Sequence, residues 1–461
     1  MSMRRTVVLD VVGLARDLIG EATPNLARLA RDVGVRSLDT VLPAVTCSVQ
    51  STFTTGLSPR EHGCVGNGWY FRDLAEVWFW RQSNHLVGGE KIWDAAKKRD
   101  PSFSCAKLFW WYNMYSSADF AVTPRPLYPA DGRKIPDIYT EPAELRDELN
   151  ARLGSFPLFN FWGPKAGIVS SQWIADCAKH VFDTKKPTLT LVYLPHLDYD
   201  LQRLGPDDPR MASALREIDG VVGDLVEHFR RHDARVIVLS EYAITKVTGP
   251  VHINRVLRDA GLLRVREELG LEKLDAGGSE AFAVSDHQVA HVYVRRKERI
   301  AEVKRLLEGV AGIDQVLGED EKRAAGLDHA RSGELIALSK PDTWFTYYYW
   351  LDDERAPDFA RTVDIHRKPG YDPAELFVDP ALRLPMLRVG TRIAQKTLGF
   401  RMLMDVIPLD ATLVKGSHGR LTTPDRAPVF LSTEPSLIPE GPVEAAQVKD
   451  LVLRHIFDHG T

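Results

Sequence analysis

Three short apolar runs constrain the fold of this chain more than any other feature. They are Thr6-Val-Val-Leu-Asp10-Val-Val-Gly13, Pro187-Thr-Leu-Thr-Leu-Val-Tyr-Leu194 and Arg235-Val-Ile-Val-Leu-Ser240-Glu241. Runs that are apolar almost throughout, rather than alternating with polar residues, read as strands buried on both faces of a parallel sheet covered by helices. Each run hands a carboxylate to the carboxyl end of its strand: Asp10, Asp198 just after the second run, and Glu241. Open α/β sheets bind ligands along that edge, so three acids there suggest a site as well as a fold. Helices are expected between the runs. One starts at Thr23-Pro24-Asn25-Leu26, with Thr23 as its cap. Another runs from Met211 to Arg230, with Ala214, Ile218, Val222, Leu225 and Phe229 at helical spacing.

The stretch from Pro43 to Asn67 carries a second signal. Thr46 is expected to cap a helix from Cys47 to Thr55, with Gly56 ending it. A hydroxyl at a helix N-terminus lies beside free backbone N–H groups and the positive end of the dipole, which suits an anion. A nucleophile attacking phosphorus belongs in such a place. Taken alone, a threonine there is simply a cap. The strand-end acids change its meaning, because carboxylates and imidazoles together suit Zn²⁺, Mn²⁺ or a similar divalent ion. Such an ion activates a hydroxyl and stabilises the oxygens of phosphoryl transfer, and Asn67 could donate to a phosphoryl oxygen.

The remaining text of the chain sets limits. With 461 residues, 44% hydrophobic and 26% charged, it has the make-up of a globular protein. A net charge of −4 gives no reason to expect a nucleic acid polymer or an anionic membrane as partner. Cys47, Cys64, Cys105 and Cys177 form no CxxC pair, which suits a reducing cytosol. No run is long enough for a membrane-spanning helix, and the expected location is cytoplasmic. Residues 65–180 are crowded with Trp and Tyr and read as an aromatic-rich insertion or cap, some of whose rings could line a pocket. Residues 281–345 read as an α+β excursion on the main sheet of a single domain, 1–461. Further candidate ligands lie in polar loops: Asp286, His287 and His291, Asp364 and His366, and His418 within Lys-Gly-Ser-His418-Gly.

Five segments together resemble the alkaline phosphatase superfamily, and within it the nucleotide pyrophosphatase/phosphodiesterase branch. They are Leu-Asp10-Val-Val-Gly-Leu, Thr23-Pro-Asn-Leu-Ala-Arg-Leu-Ala, the Thr46 segment through Asn67, Lys91-Ile-Trp-Asp94, and the His418 loop. The resemblance implies a three-layer α/β sandwich with a mostly parallel sheet. It implies Thr46 as nucleophile, Asn67 as phosphate contact, and Asp10, Thr46, Asp198, Glu241 and His418 as ligands of one or two divalent ions, zinc above all. Two departures stand out. The family pattern Asp-x-x-x-His after the second strand is here Asp198 to Gln202, and Ser-Asp-His-Gly after the third is Ser240-Glu241-Tyr242-Ala243. Two imidazoles are thus missing; Asp286, His287 and His366, with Asp200, His291 and Asp364, are the residues available to replace them. At least one of the Asp286-His287 and Asp364–His366 loops is expected to reach the centre.

Two functions follow. The first is a metal-dependent phosphoric ester hydrolase, acting through a phospho-threonine on a small organic phosphate. The same centre also serves phosphotransfer or phosphonate cleavage. The second is a ligand-binding or scaffolding protein on a catalytically degenerate version of the fold, motivated by Gln202 and Tyr242.

Overall fold

The computed structural model describes residues 3–130, 133–400 and 402–458. A nine-stranded sheet lies at its centre. From edge to edge the strands are Val443–Glu444, Arg36–Asp39, Val429–Ser432, Arg235–Leu239, Thr6–Val11, Leu189–Leu194, Cys105–Leu108, Phe120–Pro124 and Ile138–Glu141. The run from Arg235–Leu239 across to Phe120–Pro124 is parallel. Antiparallel strands extend it on both sides. Helices flank the sheet in two groups. Pro24–Val33, Ile168–Lys185 and Met211–Arg231 pack together, as do Thr46–Thr55, Ile92–Arg99 and Val448–Phe457. The result is the layered, mostly parallel α/β architecture expected from the apolar runs.

Burial explains those runs. Every residue of Thr6–Val11, Leu189–Leu194 and Arg235–Leu239 is buried, so both faces of each strand are covered. Each fully buried Val, Leu or Ile there contributes about 1.5–3 kcal/mol. Parallel register sets Asp10 beside Tyr193 on one side and Leu239 on the other. Glu241 and Asp198 follow shortly beyond those neighbours, which brings the three acids to one sheet edge.

Residues 65–180 do not stand apart from this sheet, since the strands at 105–108, 120–124 and 138–141 all belong to it. Residues 281–345 hold a separate four-stranded antiparallel sheet, in the order Ala281–Asp286, Val289–Val294, Leu335–Ser339, Ile313–Leu317. Among the described residues no helix is long and apolar enough to cross a membrane.

Two helix starts differ from the sequence reading. Thr23 does not cap its helix; its hydroxyl accepts from Gly20 N–H and donates to the Leu18 carbonyl. The cap comes from another helix instead. The buried carboxylate of Asp219 accepts from the backbone N–H of Asn25 at 3.0 Å and of Leu26 at 2.8 Å. An acid in this place also meets the positive end of the dipole. Thr46 is not a cap either. The chain stays extended through Val45, so the helix begins one residue early and Thr46 is its first member. That frees the Thr46 hydroxyl from capping and turns it toward the sheet edge.

Candidate active site

The Thr46 helix brings two side chains to the acids. Gln50 lies four residues after Thr46, hence on the same helical face. Its NH₂ group donates to Glu241 Oε1 at 2.6 Å and to Asp10 Oδ2 at 3.2 Å. Its carbonyl accepts the Trp111 backbone N–H at 2.7 Å, which fixes the orientation of the amide. The other oxygen of each acid, Asp10 Oδ1 and Glu241 Oε2, is buried without a hydrogen-bond partner. Burial first, and then the neighbouring Glu241 carboxylate, pushes Asp10 well above the usual carboxylate range; burial likewise raises Glu241.

Thr46 Oγ1 lies 3.3 Å from the Tyr242 hydroxyl, which itself donates to Asp198 Oδ1 at 3.1 Å. Because Tyr242 spends its proton on Asp198, Thr46 is the donor in the first contact. Asp198 Oδ2 accepts from Gln202 Nε2 at 2.7 Å, and the Gln202 carbonyl accepts the Tyr371 hydroxyl at 3.0 Å. Burial lifts Asp198 to about 7 despite these donors. His418 gives its Nδ1–H to the Ala44 carbonyl, leaving Nε2 as an acceptor 3.8 Å from Asp198 Oδ1. The Tyr242 ring lies flat on His418, centroids 3.6 Å apart at 5°.

The Asp286-His287 turn arrives from the four-stranded sheet. Asp286 accepts from Asn67 N–H at 2.7 Å and Asn67 Nδ2 at 3.1 Å, and Asn67 Oδ1 accepts Cys47 N–H at the helix start. Asn67 is therefore clamped between the helix and the turn. Burial raises Asp286 to about 6. His287 donates Nδ1–H to Asp286 Oδ1 at 2.9 Å and keeps a buried, unpartnered Nε2. Its ring packs 3.7 Å from His418 and 3.6 Å from Tyr371. It holds φ of +61°, a left-handed conformation costly for an L-residue and typical of functional turns. Burial drives both His287 and His418 far below the usual histidine value, so both are neutral.

The structure thus brings Asp10, Thr46, Asn67, Asp198, Glu241, Asp286, His287 and His418 together. It leaves others elsewhere. His366 Nδ1 sits 3.4 Å from the Phe79 carbonyl, and Asp364 pairs with Arg367. Asp200 pairs with Arg203, and His291 bonds the Val65 carbonyl and Gly333 N–H. Lys91, Trp93 and Asp94 serve packing: Lys91 Nζ donates to the Val87 carbonyl, and Trp93 and Asp94 both bond Ser117. Sequence reasoning misses Gln50 and Tyr371 and places Trp111 only within the aromatic-rich stretch whose rings could line a pocket. Of these only Gln50 carried a usable signal, its position four residues after Thr46. A half-buried aromatic wall borders the centre, with Trp111 4.7 Å from Trp80, and Trp80 and Trp162 each against Tyr371.

A sequence profile described as type I phosphodiesterase / nucleotide pyrophosphatase matches residues 6–372. A protein of Schizosaccharomyces pombe, described as an uncharacterized pyrophosphatase/phosphodiesterase, is 25% identical over 264 residues, 54% of this chain and 46% of that protein. The match therefore spans less than half of that relative's length. Among solved structures, phosphonoacetate hydrolase from Sinorhizobium meliloti 1021 with phosphonoformate superposes with a TM-score of 0.62 at 14% identity, covering 98% of this chain and 96% of its own. Murine ectonucleotide pyrophosphatase/phosphodiesterase 5, an inactive threonine-to-alanine variant with AMP, gives a TM-score of 0.57 at 14% identity, covering 98% and 94%. At such identity these likenesses speak for the fold, while the profile covers most of the chain. The chain belongs to the type I phosphodiesterase / nucleotide pyrophosphatase family.

Proposed function

We propose that this protein is a metal-dependent phosphoric ester hydrolase in which Thr46 attacks phosphorus. One observation carries the reading. The Thr46 hydroxyl opens a buried helix beside two adjacent acids, Asp10 and Glu241, each with a bare oxygen, while Asn67 is clamped at the same helix end. Burial and mutual repulsion oppose two charges on this pair by itself, and a divalent cation would favour the ionised form of both acids, so the pair fits such an ion. Asp10, Glu241 and the Thr46 oxygen would hold it. When bound, it supplies the positive charge that favours ionised Thr46 and offsets charge on the phosphoryl oxygens.

The chain's own residues do the rest. Gln50 orients both acids by holding one oxygen of each. Tyr242 receives the Thr46 hydroxyl proton in a hydrogen bond and so aims the oxygen. N–H groups of the first helical turn, apart from the Cys47 N–H that Asn67 takes, would meet the incoming phosphoryl group, and the second Nδ2 hydrogen of Asn67 is available to it. Thr46 gives up its proton to solvent and its Oγ bonds to phosphorus as the ester oxygen leaves and takes a proton from solvent; water then cleaves the phospho-threonine, releasing phosphate or its monoester, and the Thr46 oxygen regains a proton. A small organic phosphate or phosphonate is the expected class of substrate. We read residues 1–461 as one catalytic unit, and the four buried free cysteines suit work in a reducing cytoplasm.

Gln202 and Tyr242, where the family pattern has histidines, favour the alternative of a degenerate binding protein on the same fold. Assays separate the two. Protein supplied with Zn²⁺ or Mn²⁺ should turn over some member of a panel of phosphate mono- and diesters. Thr46→Ala should abolish turnover, and acid-quenched wild-type enzyme should carry phosphate on Thr46 by mass spectrometry. No turnover on any ester, or full activity in Thr46→Ala, would exclude the hydrolase reading.

A further inference from the structure

We infer that the centre holds a single divalent cation, at the Asp10–Thr46–Glu241 end, and that the Asp198–His418 end is closed by neutral donors. This rests on the reading that Asp10 and Glu241 hold a cation at all.

The two ends of the site are built differently. At the first, two buried acids lie side by side, bridged by the neutral Gln50 amide, and Glu241 also meets the Thr46 hydroxyl. That amide takes one oxygen from each acid and leaves one bare on each. Trp111 N–H holds the Gln50 carbonyl, so the NH₂ group cannot turn away. Two carboxyl groups with one unpartnered oxygen each and an adjoining hydroxyl make an oxygen donor set suited to a divalent cation, whose charge would favour the ionised form of both acids.

At the second end a single acid has both oxygens occupied. Asp198 Oδ1 receives the Tyr242 hydroxyl and Oδ2 receives the Gln202 amide, itself held by Tyr371. The charge of Asp198 is thereby met by uncharged donors that need no ion. Two imidazoles lie nearby: His418, whose face the Tyr242 ring covers, and His287, which gives its Nδ1–H to Asp286. A catalytic zinc commonly takes three protein ligands, and this end offers two. His287 does not complete the set. Among the described residues, the one group of three carboxylate, imidazole or thiolate donors whose atoms all lie within 4.8 Å of one another is Asp183, His228 and His232, on the surface. Asp198, His287 and His418 do not gather so closely, whereas the first end draws its third oxygen from the Thr46 hydroxyl, a donor type outside that set. Tyr242 and Gln202 are therefore replacements that close an ion site with hydrogen bonds, rather than poorer ligands for a second ion.

Metal stoichiometry tests this. The full chain carrying His228→Ala and His232→Ala, which removes the surface group, is stripped with chelator and titrated with Mn²⁺ and Zn²⁺ by equilibrium dialysis with elemental analysis. The expected result is about one bound equivalent, lost in Asp10→Asn and retained in Asp198→Asn, each variant checked for native circular dichroism. Mn²⁺ electron paramagnetic resonance on saturated protein, after unbound ion is removed by gel filtration, gives an independent readout in the unaltered centre, with an isolated, uncoupled manganese signal expected. Two equivalents, an exchange-coupled manganese signal, or loss of one equivalent in Asp198→Asn overturns the inference while leaving the hydrolase reading intact. No bound equivalent, or undiminished binding in Asp10→Asn, overturns both.

Discussion

Replacing Gln50 by Glu exchanges one NH₂ group for an oxygen with almost no change in size, and so probes the acid pair directly. In the native chain that NH₂ group donates to Glu241 at 2.6 Å and to Asp10 at 3.2 Å, while the carbonyl accepts Trp111 N–H at 2.7 Å. Q50E keeps the Trp111 bond, since a carboxylate oxygen accepts as an amide oxygen does. It removes two hydrogen bonds to buried carboxyl groups, each contributing about 1.5–3 kcal/mol where the acceptor is ionised, and sets a third carboxyl against the other two. The metal-free variant should therefore be less stable by roughly 3–6 kcal/mol. At the usual unfolding entropy per residue, a chain of this length shifts about 1 °C per kcal/mol, so Tm should fall by about 3–6 °C. Differential scanning calorimetry with and without excess Zn²⁺ or Mn²⁺ reads this out. Cation should recover most of the loss and raise Tm more in Q50E than in wild type, because it meets an added charge. A metal-free Q50E melting within about 1 °C of wild type, or equal cation shifts in the two proteins, would refute the claim that Gln50 bridges ionisable acids poised for a cation.

Other perturbations reach the fold around the site. Asp219→Ala strips the acceptor from two backbone N–H groups and from Asn25 Nδ2 at 2.9 Å, and should lower unfolding free energy by about 2–4 kcal/mol in urea titrations; a change below about 0.5 kcal/mol would mean the cap is dispensable. Lys368 is buried between Asp372 and Glu375, each at 2.7 Å, so Lys368→Met should cost about 3–5 kcal/mol by leaving two buried acids without their cation, measured in the same way. His62 accepts Cys64 N–H at Nδ1 and contacts Thr52, and burial lowers it to about 3. Below about pH 6.5 the unfolded chain binds a proton that folded His62 refuses, so the stability present above that pH drains away as pH falls toward 3. Between pH 7 and pH 4 wild type should lose roughly 3 kcal/mol more than His62→Gln; parallel pH profiles would contradict this.

Much of the fold was legible because apolar runs report burial directly. Thr6–Val11, Leu189–Leu194 and Arg235–Leu239 are uniformly buried strands, and the acids that follow them converge as parallel register requires. The start of the Thr46 helix was readable to within one residue. Partnerships between distant side chains were not. Nothing in the text around Pro24 announces that Asp219, on another helix, will take over the work of Thr23. Tyr371 enters the site from the same loop as the candidate ligands Asp364 and His366, while His366 turns to Phe79. Polar residues are common in loops, and only packing selects which of them faces inward.

The hold of Trp111 on Gln50 gives the protein a built-in optical reporter. The backbone of a tryptophan is tied at 2.7 Å to the amide that grips both acids, and its ring lies 4.7 Å from that of Trp80. A cation on the acid pair would pull on carboxyl groups that this amide grips, and by thermodynamic reciprocity whatever reorders the indoles through the amide changes affinity at the acids. Intrinsic fluorescence should accordingly follow cation loading without a label, and a Trp111→Phe variant, which keeps the backbone tie, should mute the signal while leaving the binding isotherm in place.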